Sequence, residues 1–166
     1  MKQLLLKRNM STTPLADLVS SLKLSGPRKK QKDDESLVKR FLSELREAGV
    51  KIRDDRGRKG NHLRLESGKA GLEVSLHEST DCGWWGVGEH YIKKAKKWGD
   101  PWGVIFLTPK ERFWVDGPNF RTITTGDLDH ANGYNVHIER LKESSRANRF
   151  SSVSEFLLIS GLSDLT

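Results

Sequence analysis

GLEVSLHES, residues 71–79, decides how this chain folds. Leu72, Val74 and Leu76 alternate with Glu73, Ser75 and His77, which is the two-residue period of a strand with one apolar and one polar face. The stretch before it, HLRLESGKA at 62–70, supplies a partner. There Leu63 and Leu65 alternate with His62, Arg64 and Glu66, and Ser67-Gly68-Lys69 makes the turn. A turn that closes near Gly68 sets Arg64 opposite Glu73 and His62 opposite Ser75. The polar face then collects His62, Arg64, Glu66, Glu73, Ser75 and His77. A carboxylate, a hydroxyl and an imidazole in successive same-face positions are an odd choice for plain surface, and they make this face the candidate site. The bland alternative is a surface ion pair between Glu73 and Arg64 beside two exposed strand histidines.

Upstream, Asp33 or Asp34 caps a helix that runs to Ala48, with Leu37, Val38, Phe41, Leu42 and Leu45 on one stripe. Gly49 is a natural left-handed stop, and Val50 folds back on the last turn. Val50 and Ile52 open a first strand, and DDRGRKGN at 54–61 is a charged loop. Downstream, DCGWWGVG at 81–88 reads as a loop and Glu89 to Trp98 as a helix. That helix turns Ile92 and Ala95 inward and crowds Lys93, Lys94, Lys96 and Lys97 outward. WGVIFL at 102–107 is an almost unbroken apolar run, as expected of a buried central strand. Pro109-Lys110-Glu111 turns it into RFWVD at 112–116, which Gly117-Pro118 stops. Arg121 to Thr125 predicts another short strand, and Asn132-Gly133 a turn before YNVHI at 134–138. Ser152 with Glu155 forms a capping box for a last helix. The expected class is α/β or α+β, a mixed central sheet flanked by helices.

The chain has 166 residues, 35% hydrophobic and 31% charged, so part of it is expected to lie outside a packed core. Its single cysteine, Cys82, excludes an internal disulfide and a multi-cysteine zinc site, and a reducing, cytoplasmic setting is expected. No apolar run is long enough to cross a bilayer, so no membrane partner is expected. The formal charge of +7 is unevenly spread: residues 1–70 carry 18 basic and 9 acidic side chains, residues 71–166 carry 11 and 13. A basic N-terminal part points to a polyanion, most simply nucleic acid.

Residues 1–32 read as a largely flexible basic arm with one short helix, Leu15, Leu18, Val19 and Leu22 sharing a face behind Pro14. Residues 33–166 read as a single folded domain. Arg28, Lys29 and Lys30 in the arm, and Lys93, Lys94 and Lys97 on the expected helix, are candidate phosphate contacts. Trp84 is a candidate stacking platform for bases. No Walker loop, dinucleotide-binding glycine pattern or hydrolase serine elbow is present, and Cys82 lacks the setting of a cysteine nucleophile.

The order of elements, with a carboxylate on the second hairpin strand and a helix and buried strand after it, resembles the PD-(D/E)xK nuclease superfamily. The resemblance is to its Holliday-junction-resolvase and restriction-endonuclease branches, and it spans about Asp33 to Asp116. It implies a restriction-endonuclease-like core of a helix, three antiparallel strands, a helix and a further strand. It also implies Glu-x-Lys on the second hairpin strand and an Asp roughly a dozen residues earlier. Glu73 falls on the Glu, Ser75 on the Lys, and Asn61 or His62 near the Asp; Asp54 and Asp55 lie earlier, and Glu44 or Glu47 matches an extra helix acid of some members. What the resemblance implies is a catalytic group of Glu73, Asp55 and Ser75, with Mg²⁺ or Mn²⁺ held by Glu73, Asp55 and His62. Members commonly pair, so a homodimer is among the arrangements implied. Serine carries no charge and histidine binds Mg²⁺ poorly. Two functions therefore stay open: a divalent-metal-dependent endonuclease that hydrolyses DNA phosphodiesters, with Asp55 and Glu73 as the metal pair or with His62, Glu73 and His77 around a softer metal, and a non-catalytic nucleic-acid-binding or interaction module that kept the fold.

Overall fold

Phe41 and Leu45 lie one helical turn apart and bring the first described helix onto the sheet. The computed structural model describes residues 36–54, 62–80, 83–90, 92–93, 101–124, 128–129 and 133–163. The expected arm and the loop with Asp55 lie outside the described residues. Helix α1 (Leu37–Glu47) ends at Ala48, and Gly49 takes the left-handed φ of 82° that a side chain would resist. The Val50 amide returns to the Leu45 carbonyl at 3.0 Å. The N-terminal cap differs from the local aspartate expected. Ser36 is the cap residue, and the carboxylate of Glu78, 40 positions along the chain, accepts the Val38 amide at 2.9 Å and the Ser36 hydroxyl at 2.8 Å. The sheet thus satisfies an orphan amide that sequence reasoning assigns to the helix's own neighbours.

The chain then runs through β1 (Lys51–Asp54), β2 (His62–Ser67) and β3 (Ala70–Glu78) as an antiparallel meander. Gly68 makes the β2–β3 turn with a φ of 57°. The register is the one the alternation predicts, Arg64 opposite Glu73 and His62 opposite Ser75. Strand β5 (Trp102–Leu107) joins β3 in parallel, and β6 (Arg112–Asp116) and β9 (Asn148–Phe150) extend the sheet antiparallel. The six strands lie in the order β1-β2-β3-β5-β6-β9. A parallel joint needs a crossover. Strand β4 (Trp84–Gly88) and helical residues 89, 90, 92 and 93 lie on that connection.

Two local expectations give way here. DCGWWGVG is not simply a loop: β4 pairs with β8 (Gly133–His137), which pairs with β7 (Leu128–Asp129), as a second, three-stranded sheet. The glycines hide a two-residue period in which Trp85 and Val87 are buried and Trp84 and Gly86 are exposed. Residues 121–124 are not a strand, and Thr125 lies outside the described residues. Gly117–Ile123 forms helix α2, because Asp116 caps it by accepting the Asn119 amide at 2.9 Å and Pro118 suits its first turn. Likewise Ile138 does not close its strand but opens helix α3 (Ile138–Glu143). The last helix, α4 (Val153–Ile159), keeps its expected cap, Ser152 accepting the Glu155 amide at 3.2 Å.

The layers follow from the alternation. On one face of the large sheet Leu63, Leu65, Leu72, Val74, Leu76, Ile105 and Trp114 meet Phe41, Leu45 and Phe156. On the other, Val104, Phe106, Phe113 and Val115 meet Trp85, Val87 and Val136 of the small sheet, with Phe120 and Leu141 from α2 and α3. The result is the mixed sheet flanked by helices that the sequence predicts. No described helix is long and apolar enough to cross a membrane.

Candidate functional site

The second face of the sheet changes character between β5 and β3. Val104 and Phe106 are apolar, while their parallel neighbours Ser75 and His77, with Glu73 beside Trp102, carry the polar set. The sequence leads one to expect that polar strip to face solvent, and the structure buries it. Glu73 is 0% exposed, Ser75 4%, His77 8% and His62 9%. The correction has a physical cause: β3 is an inner strand of the sheet, between β2 and the doubly apolar β5, and its polar side chains are paired, Glu73 with His62 and Arg64 and Ser75 with His77.

Buried polar groups need partners, and these have them. One carboxylate oxygen of Glu73 lies 3.0 Å from His62 Nε2, and the other accepts from an Arg64 guanidinium nitrogen at 3.2 Å. A carboxylate only accepts, so His62 carries its proton on Nε2 toward Glu73. Arg64 also donates to Glu66 at 2.9 Å, so its fork joins two carboxylates, one buried and one part-exposed. Gly71 makes room for this, since a Cβ there would come within 2.7 Å of the same guanidinium. Two residues further along β3, the Ser75 hydroxyl lies 2.8 Å from His77 Nε2. Burial pushes the His77 pKa down to about 4, which leaves a neutral imidazole at neutral pH. The His77 ring stands 6.0 Å from the Phe106 ring, at the border with the apolar half of this face.

The structure therefore brings Glu73, Ser75 and His62 of the sequence-predicted site together, with Arg64 and His77. Asp55 and Asn61 lie outside the described residues. Glu44 is not part of this group: Arg112 grips it with two bonds of 2.6 and 2.8 Å and holds its carboxyl below the usual carboxylate range. Arg112 pairs with Leu107 and Glu73 with Trp102, at opposite ends of β5, a separation of roughly 17 Å along a strand. Among the described residues no three His, Cys, Asp or Glu side chains form a metal-binding group.

Of the candidate nucleic-acid contacts, Lys93 is exposed and ion-paired to Glu89 at 2.9 Å. Arg28, Lys29, Lys30, Lys94 and Lys97 lie outside the described residues. Trp84 is 44% exposed on β4, with its ring 6.4 Å from that of His137, while Trp85 packs into the core. Sequence reasoning missed Gly71, and the signal for it was present: a glycine directly opposite Glu66 and two residues before Glu73 leaves space on the side where Arg64 must cross.

Comparison with known proteins adds little. No family model matches the chain, and no curated protein matches it. Among solved structures, a Holliday junction resolvase from Archaeoglobus fulgidus aligns at 10% identity with a TM-score of 0.46, over 63% of this chain and 88% of that one.

Proposed function

We propose that this chain binds nucleic acid without cutting it, and that Glu73 is the centre of a structural ion pair rather than a metal ligand. One observation carries the second part: Glu73 is fully buried and both its oxygens are engaged, by Arg64 and by His62. A Mg²⁺ ion needs oxygen ligands at about 2.1 Å in an octahedron, and in nuclease sites it keeps water and the substrate phosphate in its shell. A carboxylate with a guanidinium against one oxygen and an imidazole N–H against the other offers no such position. A DNA phosphate has no route to a side chain with no exposed surface. Ser75, in the place of the lysine, is bonded to His77 and nearly closed off as well. The described residues around Glu73 do not fit the metal. The nucleic-acid part rests on charge: the net +9 of residues 1–70 favours a polyanion through counterion release.

A second reading, a Mg²⁺- or Mn²⁺-dependent endonuclease with Asp55 and Glu73 as the metal pair, is favoured by one fact. Glu73 and His62 sit side by side on the two hairpin strands where the nuclease resemblance sets its acids. It requires Glu73 to leave both present partners. Fluorescence anisotropy and cleavage assays on duplex, single-stranded and branched DNA, with Mg²⁺ and with Mn²⁺, separate the two. Salt-sensitive binding without cutting, weakened by deleting residues 1–32, is expected. Metal-dependent cutting that Glu73→Gln abolishes would overturn the non-catalytic reading. Affinity and salt slope unchanged by the deletion would overturn the charge argument.

A further inference from the structure

The end of the large sheet opposite Glu73 carries a cleft that neither charge runs nor motifs reveal. It has a volume of about 260 Å³ and opens where β5 turns into β6, between α1 and β9. Arg40, Lys110, Arg112 and Arg149 line it, with Glu111 as its one acid. A neighbouring cleft shares the Thr108–Glu111 turn and adds Lys142. Strands β3 and β5 run parallel and both end here, Glu78 beside Leu107. The carboxyl ends of parallel strands are where open α/β sheets hold ligands.

The ion pairs leave this place positive. Arg40 and Arg112 share Glu44, at 3.4 and 2.6 Å. Lys142 and Arg149 share Glu111, at 3.2 and 3.4 Å. Lys110 is exposed and makes no ion pair among the described residues. Five cations thus face three carboxylates, since Lys142 also reaches Glu139 at 3.5 Å. Arg112 is held rigid by its two-bonded grip on Glu44 and by Phe41, whose ring centre lies 5.6 Å from the guanidinium carbon. Two of its five N–H groups are spent on Glu44, and the rest remain for an anion. Arg40 and Arg149 are about two-thirds exposed, at 68% and 66%, so they reach a ligand without being uprooted.

We propose that this cleft seats backbone phosphates of nucleic acid, Lys110, Arg149 and Arg40 contacting them around the fixed Arg112. The inference rests on the nucleic-acid reading above and deepens it, because it gives the folded part of the chain a grip separate from the basic arm. Phosphate contacts position a nucleic acid without reading its sequence.

The test uses the full chain, wild type beside the double variant Lys110→Ala/Arg149→Ala. Both side chains are exposed, and circular dichroism confirms that each protein is folded. Affinity for a labelled duplex is measured between 50 and 200 mM salt. Loss of two phosphate contacts lowers the slope of log K against log salt by about 1.8, so the wild type's advantage shrinks ~12-fold over that range. The charge-keeping variant Lys110→Arg/Arg149→Lys retains the wild-type slope. An unchanged slope in the alanine variant, with the wild type still binding, overturns the cleft and leaves the nucleic-acid reading standing. No binding by the wild type overturns both. Saturable binding of inorganic phosphate alone at constant ionic strength, lost in the alanine variant, reassigns the cleft to a free anion and overturns the nucleic-acid assignment.

Discussion

Replacing Glu73 by alanine separates a structural carboxylate from a metal-site carboxylate through stability alone. Carboxylates gathered for a metal repel one another, so removing one from an apo protein leaves stability level or raises it. Glu73 stands in the opposite situation. Breaking a buried pair by deleting one partner typically costs about 3–5 kcal/mol, because the other charge stays behind. Arg64 is 26% exposed and keeps Glu66 at 2.9 Å, which takes the cost toward the lower end. The Nε2–H of His62, 9% exposed, loses its acceptor, and the void left by the side chain adds to the loss. The expected destabilisation is about 3–4 kcal/mol. At about 4 °C per kcal/mol for a folded unit of this size, the midpoint falls by ~12–16 °C. Urea unfolding with linear extrapolation, at an unchanged m value, is the assay. Glu73→Gln keeps an acceptor for Arg64, and its amide serves the other tautomer of His62, so it costs only about 1–2 kcal/mol. An alanine variant as stable as the wild type, or more stable, refutes the reasoning.

Three further outcomes are expected. The His77 pKa, held down to about 4 by burial against 6.5 unfolded, means that the unfolded chain binds the extra proton between those values. Stability is therefore full above pH 6.5 and falls as pH drops toward 4, by about 2 kcal/mol between pH 7 and pH 5; unfolding curves at the two pH values check this, and His77→Gln removes that part of the slope. Glu78→Ala uncaps α1 from a distance and costs about 1 kcal/mol, read as faster hydrogen exchange at the Val38 amide. Gly103→Ala drives a methyl into the Trp114 ring and the Val115 carbonyl across the β5–β6 pair and costs about 1–3 kcal/mol by thermal unfolding, with loss of Trp114 packing fluorescence.

Much of the hairpin was legible before the structure. The alternation from Leu63 to His77 and the Gly68 turn determine which residues face each other, and Arg64 does meet Glu73. The unbroken apolar run of β5 placed it centrally. What the alternation cannot state is what lies over a face. It sorts Glu73, Ser75 and His77 to one side, yet whether that side meets water depends on what packs over it, and the alternation does not reveal that the glycine-rich WWGVG and GYNVH, far apart in sequence, pair as a second sheet against the same face of β5. For the same reason the basic cleft was invisible. Arg40, Lys110, Arg112 and Arg149 come from three separated stretches, none of them a run of basic residues around these positions, and only the β5–β6 turn, α1 and β9 bring them together. The cap on α1 shows the same limit, since Glu78 reaches Val38 through the sheet rather than along the chain.

The most direct test of the central claim is a calorimetric titration of the full chain with Mn²⁺, wild type beside Glu73→Gln. A carboxylate committed to Arg64 and His62 predicts no saturable binding that depends on Glu73, so the two isotherms coincide. A stoichiometric site in the wild type that vanishes in Glu73→Gln would make Glu73 a metal ligand and contradict the account.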